Sequence, residues 1–247
     1  MLVWILLWEI VTLYNAGSYA AAPPHRVIAE FISGAAGPYW APLWSSFKRI
    51  LTGYFLALMI GTTIGVMVAS SKFCEWMLGG VILGIQSLPS ICWLPVAILW
   101  FGLNEKAIVF VVLMGSIGSI TLASRDGLRM VSPIYNRVSA TFGARPWQRL
   151  FWVALPAALP QVISGLKQGW SFAWRSLMAG ELLYHSTSLG SLLSDARDLA
   201  DYPRMYAVML LIIFASVCID KAVFAQLESR IRRRWGLVEQ GTSYHRQ

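Results

Sequence analysis

The sequence predicts an all-α integral membrane protein of about six transmembrane helices, and three observations carry that expectation. Charge is scarce: 13% of the residues are Asp, Glu, Lys or Arg and 57% are hydrophobic, where soluble domains carry about 25% charged residues. A water-soluble globule of this composition would leave large apolar patches facing solvent, whereas lipid accepts them. The apolar residues also fall in charge-free runs close to the roughly 20 residues needed to cross about 30 Å of hydrocarbon. Finally, 12 Trp and 9 Tyr are more than a core of this size needs and suit the two membrane interfaces, where an apolar ring with one polar atom is best placed.

The first span covers Met1 to about Asn15, apolar apart from Glu9, and it lacks the basic opening of a secretory signal. Residues 16–43, with Pro23, Pro24 and His25, read as a loop. Ile50 to Ser71 is charge-free between Arg49 and Lys72 and makes the second span. Trp76 to Asn104 is charge-free and longer than one straight helix requires, and Pro89 and Pro95 predict a break or kink in it. Ala107 to Ser124 is the fourth span. Apolar character resumes at Leu150, but Pro156 and Pro160 predict that the fifth span starts near Pro160 and runs to about Leu183. Residues 184–203 are polar, with Leu192, Leu193 and Leu199 placed for a short amphipathic helix. Met205 to Ile219 is the last span, closed by Asp220 and Lys221. The expected organisation is one membrane domain over residues 1–247, with a basic connection at about 125–156 and a basic tail at about 226–247.

Basic residues set the orientation. Arg125, Arg129, Arg137, Arg145 and Arg149 crowd one connection, and Lys221, Arg230, Arg232, Arg233, Arg234 and Arg246 crowd the tail. An even number of crossings separates the two, so both face the cytoplasm, while the 184–203 connection, with Asp195, Asp198 and Asp201, lies outside. Arg26, Lys48 and Arg49 then fall outside as a mild dissent. The net charge of +8 is spread between spans, without a basic face, and is read as topology rather than nucleic-acid binding. Cys74, Cys92 and Cys218 have no CxxC spacing and His25, His185 and His245 are scattered, so neither a metal site nor a cofactor is expected.

The stretch Asn136 to Pro160 is unusual for a structureless connection. Small residues (Ser139, Ala140, Gly143, Ala144) allow another protein to approach closely, and the flanking arginines can pair with its acidic groups; the alternative is a surface loop that only obeys the positive-inside rule. The spacing from Gly143, across nine residues, to Val153-Ala154-Leu155-Pro156 resembles the cytoplasmic signature of binding-protein-dependent ABC importer permeases: Glu-Ala-Ala, three residues, Gly, nine residues, Ile-x-Leu-Pro. The segments beginning at Leu43 (LWSSFKRILTGYFLALMIGTTIGVMVA), Ser87 (SLPSICWLPVAILWFGLNEKA) and Gly165 (GLKQGWSFAWRSLMAGELL) are similar to the matching regions of the sulfonate, taurine, nitrate and bicarbonate permeases.

This resemblance implies a type I ABC importer permease fold with a cytoplasmic coupling helix that docks in a groove of an ATPase subunit. It implies further partners: a periplasmic or lipid-anchored substrate-binding protein, a second copy of the chain, and the lipid of a bacterial inner membrane. The cargo implied is a small anion, either an aliphatic sulfonate or taurine or else nitrate or bicarbonate. The implied coupling residues are Arg137, Ser139, Ala140, Gly143, Ala144, Pro146, Val153, Leu155 and Pro156; Arg137, Val138 and Ser139 stand where the signature has Glu-Ala-Ala. The sequence contains no G-x-x-x-x-G-K-[ST] phosphate loop, so the chain is not expected to hydrolyse ATP itself. The rival reading is an ion channel or secondary transporter without an ATPase; a membrane enzyme would need clustered His, Asp or Cys near the spans.

Six residues are candidates for the substrate pathway: Gln86, Ser87, Ser116, Ser119, Trp174 and Arg175. The polar ones either line the pathway or bond back to backbone carbonyls. Arg175 lies between apolar stretches, where a charge costs from about 2.5 kcal/mol upward. It either attracts an anion, pairs with Glu181 or Asp220, or snorkels to the headgroups. Lys167 is read as an interfacial cation and Glu181 as a helix-terminal residue at the outer interface. Trp170 and Trp174 share one helix face, and Gly61 and Gly65 suit close helix contact.

Overall fold

The computed structural model describes residues 8, 9, 12, 22–184 and 186–234; most of the expected first span and His185 lie outside them, as do residues 235–247 of the tail. The described residues form α1 (Pro24–Ala35), α2 (Trp40–Ser70), α3 (Lys72–Ser87), a 3₁₀ turn (Ser90–Trp93), α4 (Leu94–Phe101) and α5 (Glu105–Arg129). There follow α6 (Pro133–Thr141), one helical turn (Pro146–Arg149), a π-helical segment (Leu150–Ala154), α7 (Leu155–Glu181) and α8 (Leu189–Asp198). The chain continues into α9 (Tyr202–Ile219), a second π-helical segment (Asp220–Ala225) and α10 (Gln226–Arg234). Among the described residues, four stretches are long and apolar enough to cross a membrane: Trp40–Ser70, Glu105–Arg129, Pro146–Glu181 and Tyr202–Ile231. The expected break falls at Leu88 and Pro89, where Lys72–Ser87 and Ser90–Phe101 bend by 105°.

Three expectations are corrected. Residues 16–43 are not all loop: α1 begins at Pro24 and α2 at Trp40. Pro24 and Pro42 sit in first turns, where the missing N–H has no helical partner to lose. The second span starts ten residues earlier than Ile50 because Arg49 is neutralised inside the bundle, as described below. The fifth span does not start at Pro160, which lies inside α7. A proline there costs about 3 kcal/mol in a soluble helix, because it withholds an N–H from the carbonyl four residues back, here that of Pro156; Ser164 Oγ donates to the Pro160 carbonyl at 3.3 Å, the usual back-bond of a helical serine.

The described residues divide into two compact units: those up to residue 56 with 88–116 and 171–217, and 57–87 with 117–170 and the described residues from 218 onward. In the first unit, Leu94, Ala97, Ala107 and Val111 form a buried cluster between α4 and α5, with Trp93, Ile98 and Phe110 against it. A second cluster joins α1 to α9 through Ala22, Val27 and Ala207, with Phe31 and Tyr206 beside it. Tyr39 closes the α1–α2 turn; its hydroxyl donates to Glu30 Oε1 at 3.0 Å, and burial together with that carboxylate pushes the phenol up to about 12.

In the second unit, α2 meets α5 on glycine. A Cβ at Gly61 would lie 3.0 Å from Ile120 Cγ2, and one at Gly65 would lie 2.6 Å from the Thr121 carbonyl oxygen and Ser124 Cβ. The small-x3-small spacing thus sets backbone approach within the chain. Helices α7 and α9 are joined where the Asp220–Ala225 π segment turns Asp220 and Phe224 to one side: Lys167 Nζ sits 3.0 Å from Asp220 Oδ2, and the Trp170 and Phe224 rings are 6.1 Å apart. Lys167 is therefore half of an interhelical ion pair.

Candidate functional site

The coupling candidates form one elbow in the second unit. Helix α6, opened by Pro133, ends in a Schellman motif: Gly143 N donates to the Ala140 carbonyl at 2.9 Å and Ala144 N to the Ser139 carbonyl at 3.0 Å. This closure needs a left-handed residue after the helix, and Gly143 has φ +75. Next, Arg149 Nε donates to the Ala144 carbonyl at 2.8 Å and Arg145 N to Gln148 Oε1 at 2.8 Å, which fixes the turn opened by Pro146. Val153 lies in the π segment, and Leu155 and Pro156 open α7. Arg137, Ser139, Ala140, Gly143 and Ala144 are thus brought together at the bend, while Val153, Leu155 and Pro156 form its root.

The small residues did not disclose the apolar surface around them. Ile134, Val138 and Phe142 follow one another at i, i+4 and i+8, flanked by Tyr135 and Trp147; all are exposed, Phe142 to 86%. Their signal in the sequence was large apolar residues inside an arginine-rich connection. A Cβ at Gly143 would meet nothing within 4 Å, so the elbow is open on that side. The guanidinium of Arg137 has no carboxylate within ion-pair distance among the described residues.

The pathway candidates do not form one cluster. In the second unit, Ser87 Oγ donates to the Gly84 carbonyl at 2.9 Å and Ser119 Oγ reaches the Gly165 carbonyl at 3.5 Å. Gln86 lies over Gly118, where an added Cβ would come 3.2 Å from Gln86 Cβ. In the first unit, Ser116 Oγ donates to the Val112 carbonyl at 2.7 Å. Trp174 and Arg175 alone line a common cavity of about 620 Å³ between α7 and α9, together with Ile91, Ser171, Met178 and Ser216.

The acids proposed as partners of Arg175 are engaged elsewhere, Asp220 by Lys167 and Glu181 by a buried network. Glu181 is fully buried, not a residue at the interface. Its Oε1 accepts from Arg49 Nη1 at 3.0 Å, and Ser46 Oγ lies 2.9 and 2.7 Å from the two carboxylate oxygens. Oε2 also accepts from Gly190 N at 3.2 Å, while Ser46 Oγ accepts from Leu189 N at 2.9 Å. The carboxylate and the Ser46 hydroxyl thereby each satisfy one N–H of the first turn of α8, and the carboxylate complements its dipole. Arg49 Nη2 donates to Glu105 Oε1 at 2.8 Å. Arg49 is thus not a solvent-side exception to the charge pattern. The sequence signal for this network was an acid or a base at the end of each of three apolar runs.

Comparison with known proteins matches residues 57–233 to a family described as the binding-protein-dependent transport system inner membrane component. The chain is 27% identical over 198 residues to the taurine transport system permease protein of Escherichia coli (strain K12), covering 77% of this chain and 72% of that one. It is 26% identical over 233 residues to a putative aliphatic sulfonates transport permease protein of Bacillus subtilis (strain 168), covering 94% of this chain and 84% of the relative. Among solved structures, a methionine ABC transporter in an inward-facing conformation aligns at a TM-score of 0.69 with 16% identity, over 79% of this chain and 98% of that one. The fold is that of a type I ABC importer permease.

Proposed function

This chain belongs to the binding-protein-dependent transport system inner membrane components, the membrane-spanning permeases of ATP-driven importers, and we propose that it imports a small anion of the aliphatic sulfonate or taurine class. Permeases of this family hydrolyse no ATP; a partner ATPase does so, and a substrate-binding protein delivers the cargo. The substrate class rests on the taurine and sulfonate permeases to which the chain is similar.

The observation that carries the mechanism is the exposed apolar face of α6 beside Gly143. Outside the spans, large exposed apolar groups at i, i+4 and i+8 mark a helix that fits a partner's groove. The elbow is the docking element for the ATPase: nucleotide-driven closure of two ATPase subunits moves it, and the helices rooted at Pro156 move with it. Arg137, standing where the family signature has Glu, pairs with an acid on the ATPase rather than a base. Transport then follows from unequal affinity for the cargo in two arrangements of the helices. On this reading the basic connection and tail face the cytoplasm, residues 1–247 form a single permease domain, and two copies of the chain share the complex. The apolar side chains on the outside of the spans, Trp76, Leu99 and Phe214 among them, face lipid or the second copy.

The test is ATP-dependent taurine uptake by proteoliposomes holding the permease, its ATPase and its binding protein. Gly143→Asp is expected to leave the protein in the membrane and abolish uptake, because a side chain at φ +75 strains the elbow and fills its open side. Normal transport by that variant, or uptake without any ATPase, would favour a channel or secondary transporter.

A further inference from the structure

The cavity between α7 and α9 contains a charge that the fold itself does not neutralise. Among the described residues no carboxylate lies within ion-pair distance of Arg175, and the Glu181 and Asp220 carboxylates face Arg49 and Lys167. The Arg175 side chain is exposed, in a helix that is part of a 36-residue apolar span. Snorkelling to the nearer end of that span is not what the geometry shows. Glu181 ends α7 six residues on, about 9 Å at 1.5 Å per residue, yet the Arg175 Cζ sits 5.1 Å from the centroid of the Phe172 ring. Phe172 is one turn in the other direction, so the guanidinium leans back into the helix, as side chains on helices do. A guanidinium cannot face hydrocarbon without a large penalty; this face of α7 is therefore covered by water or by a ligand.

The opposite wall offers a second free group. Ser216 on α9 lines the same cavity, and among the described residues its hydroxyl has no hydrogen-bond partner. By contrast, Ser116, Ser124, Ser164 and Ser176 all donate to carbonyls four residues back. Apart from Ser171 and the Trp174 indole, the rest of the wall is apolar: Ile91, Met178, Leu182, Ile212, Ile213 and Val217 among it. Along α7 the lining runs from Ser171 to Leu182, about 16 Å at 1.5 Å per residue.

We infer that this cavity is an anion subsite in which Arg175 and Ser216 hold the oxygens of an aliphatic sulfonate while the apolar wall takes its carbon chain. The planar fork of a guanidinium pairs two N–H donors with two oxygens of one oxyanion, and the hydroxyl supplies a further donor. A cavity of about 620 Å³ with one polar corner fits an anion that has a chain to bury. Nitrate or bicarbonate would leave the apolar wall unfilled. The inference rests on the importer reading and adds the site and the preference for an aliphatic chain.

The test uses the complete complex in proteoliposomes, with Cys74, Cys92 and Cys218 replaced by serine and Ser216→Cys as a reporter. A charged, water-soluble thiosulfonate is expected to modify that thiol. Pentanesulfonate should slow the reaction about tenfold while nitrate leaves it nearly unchanged. Arg175→Gln should remove the protection and lower sulfonate uptake about tenfold or more, Arg175→Lys should restore part of both, and ATP hydrolysis by these complexes should persist. Val217→Cys, on the same wall, serves as the reporter if Ser216→Cys fails to assemble. A thiol that never reacts in the active complex would mean lipid or a second copy covers this face and would overturn the inference. Equal protection by nitrate would overturn the aliphatic preference, and wild-type uptake by Arg175→Gln would overturn the role of the arginine. In both of those outcomes ATP-driven uptake continues and the importer reading stands; if the wild-type complex takes up no sulfonate, nitrate or bicarbonate on ATP addition, that reading itself fails.

Discussion

Arg49 and Arg175 are two arginines in long apolar helices of the same unit, and the fold treats them in opposite ways. Arg49 is 5% exposed and lies between two carboxylates, Glu181 and Glu105. Arg175 is exposed, rests on an aromatic ring, and has no carboxylate within reach among the described residues. An ion pair buried between two helices, with Nη1 and Nη2 of the guanidinium each bonded to a carboxylate, is fixed architecture, because removing either member strands the other. A charge without a counterion inside a span is a standing attraction for one. Sequence position alone did not separate these cases, since both residues interrupt or border apolar runs in a similar way.

The largest expected effect breaks the first half of the contrast. Glu181→Ala leaves Arg49 with Glu105 alone and strips the Gly190 N–H in the first turn of α8 of its acceptor; the loss should be about 3–5 kcal/mol, read as a fall in the denaturant midpoint of the purified permease. Arg49→Met with Glu181→Met together should recover much of that loss, because no buried charge is then stranded. By contrast, Arg175→Met should change the same midpoint by no more than about 0.5 kcal/mol; a loss as large as that of Glu181→Ala would make Arg175 structural too. Gly65→Ala probes stability that owes nothing to charge. Its Cβ would meet the Thr121 carbonyl at 2.6 Å, so α2 and α5 must part at a cost of about 1–3 kcal/mol, independent of salt concentration.

The smallest effect concerns Tyr39. With the folded phenol held up to about 12 against an ordinary value near 10, folding favours the protonated form. Its contribution is full below pH ~10 and declines as pH rises toward ~12. Tyr39→Phe should cost about 1 kcal/mol at neutral pH for the lost bond to Glu30 and flatten the stability profile across that alkaline window. A variant whose alkaline profile matches the wild type would exclude Tyr39 as the source of the slope.

Much of the candidate site was legible for local reasons. Gly143 was picked out by spacing, and the structure gives it a positive φ and a helix-ending hydrogen-bond pattern that operate within six residues. The bend at Pro89 was legible in the same way, from proline chemistry; the short α8 was expected on Leu192, Leu193 and Leu199, whereas its buried face is Leu189, Gly190, Ser191, Ser194 and Ala196 and Leu199 is exposed past its end. The apolar stripe of Ile134, Val138 and Phe142 was present in the sequence as well; it was obscured because apolar residues are the common background of this chain. The helix starts at Pro24, Trp40 and Leu155 were misread for the opposite reason: a proline is a breaker in a helix interior but a starter in a first turn, and its position in the turn is known only once the helix is.

The sequence by itself determined the membrane class, most of the spans, the basic connection and the helix-ending turn at Gly143, because hydropathy, charge and turn chemistry act over a few neighbouring positions. Only the tertiary structure decided which charges meet. Ser46, Arg49, Glu105, Glu181 and Gly190 are separated by up to 144 positions in the chain and become one network only when α2, α5, α7 and α8 pack. The same packing gives Asp220 to Lys167 and, among the described residues, leaves Arg175 without an acid, since Coulomb attraction depends on distance in space, which no local pattern encodes.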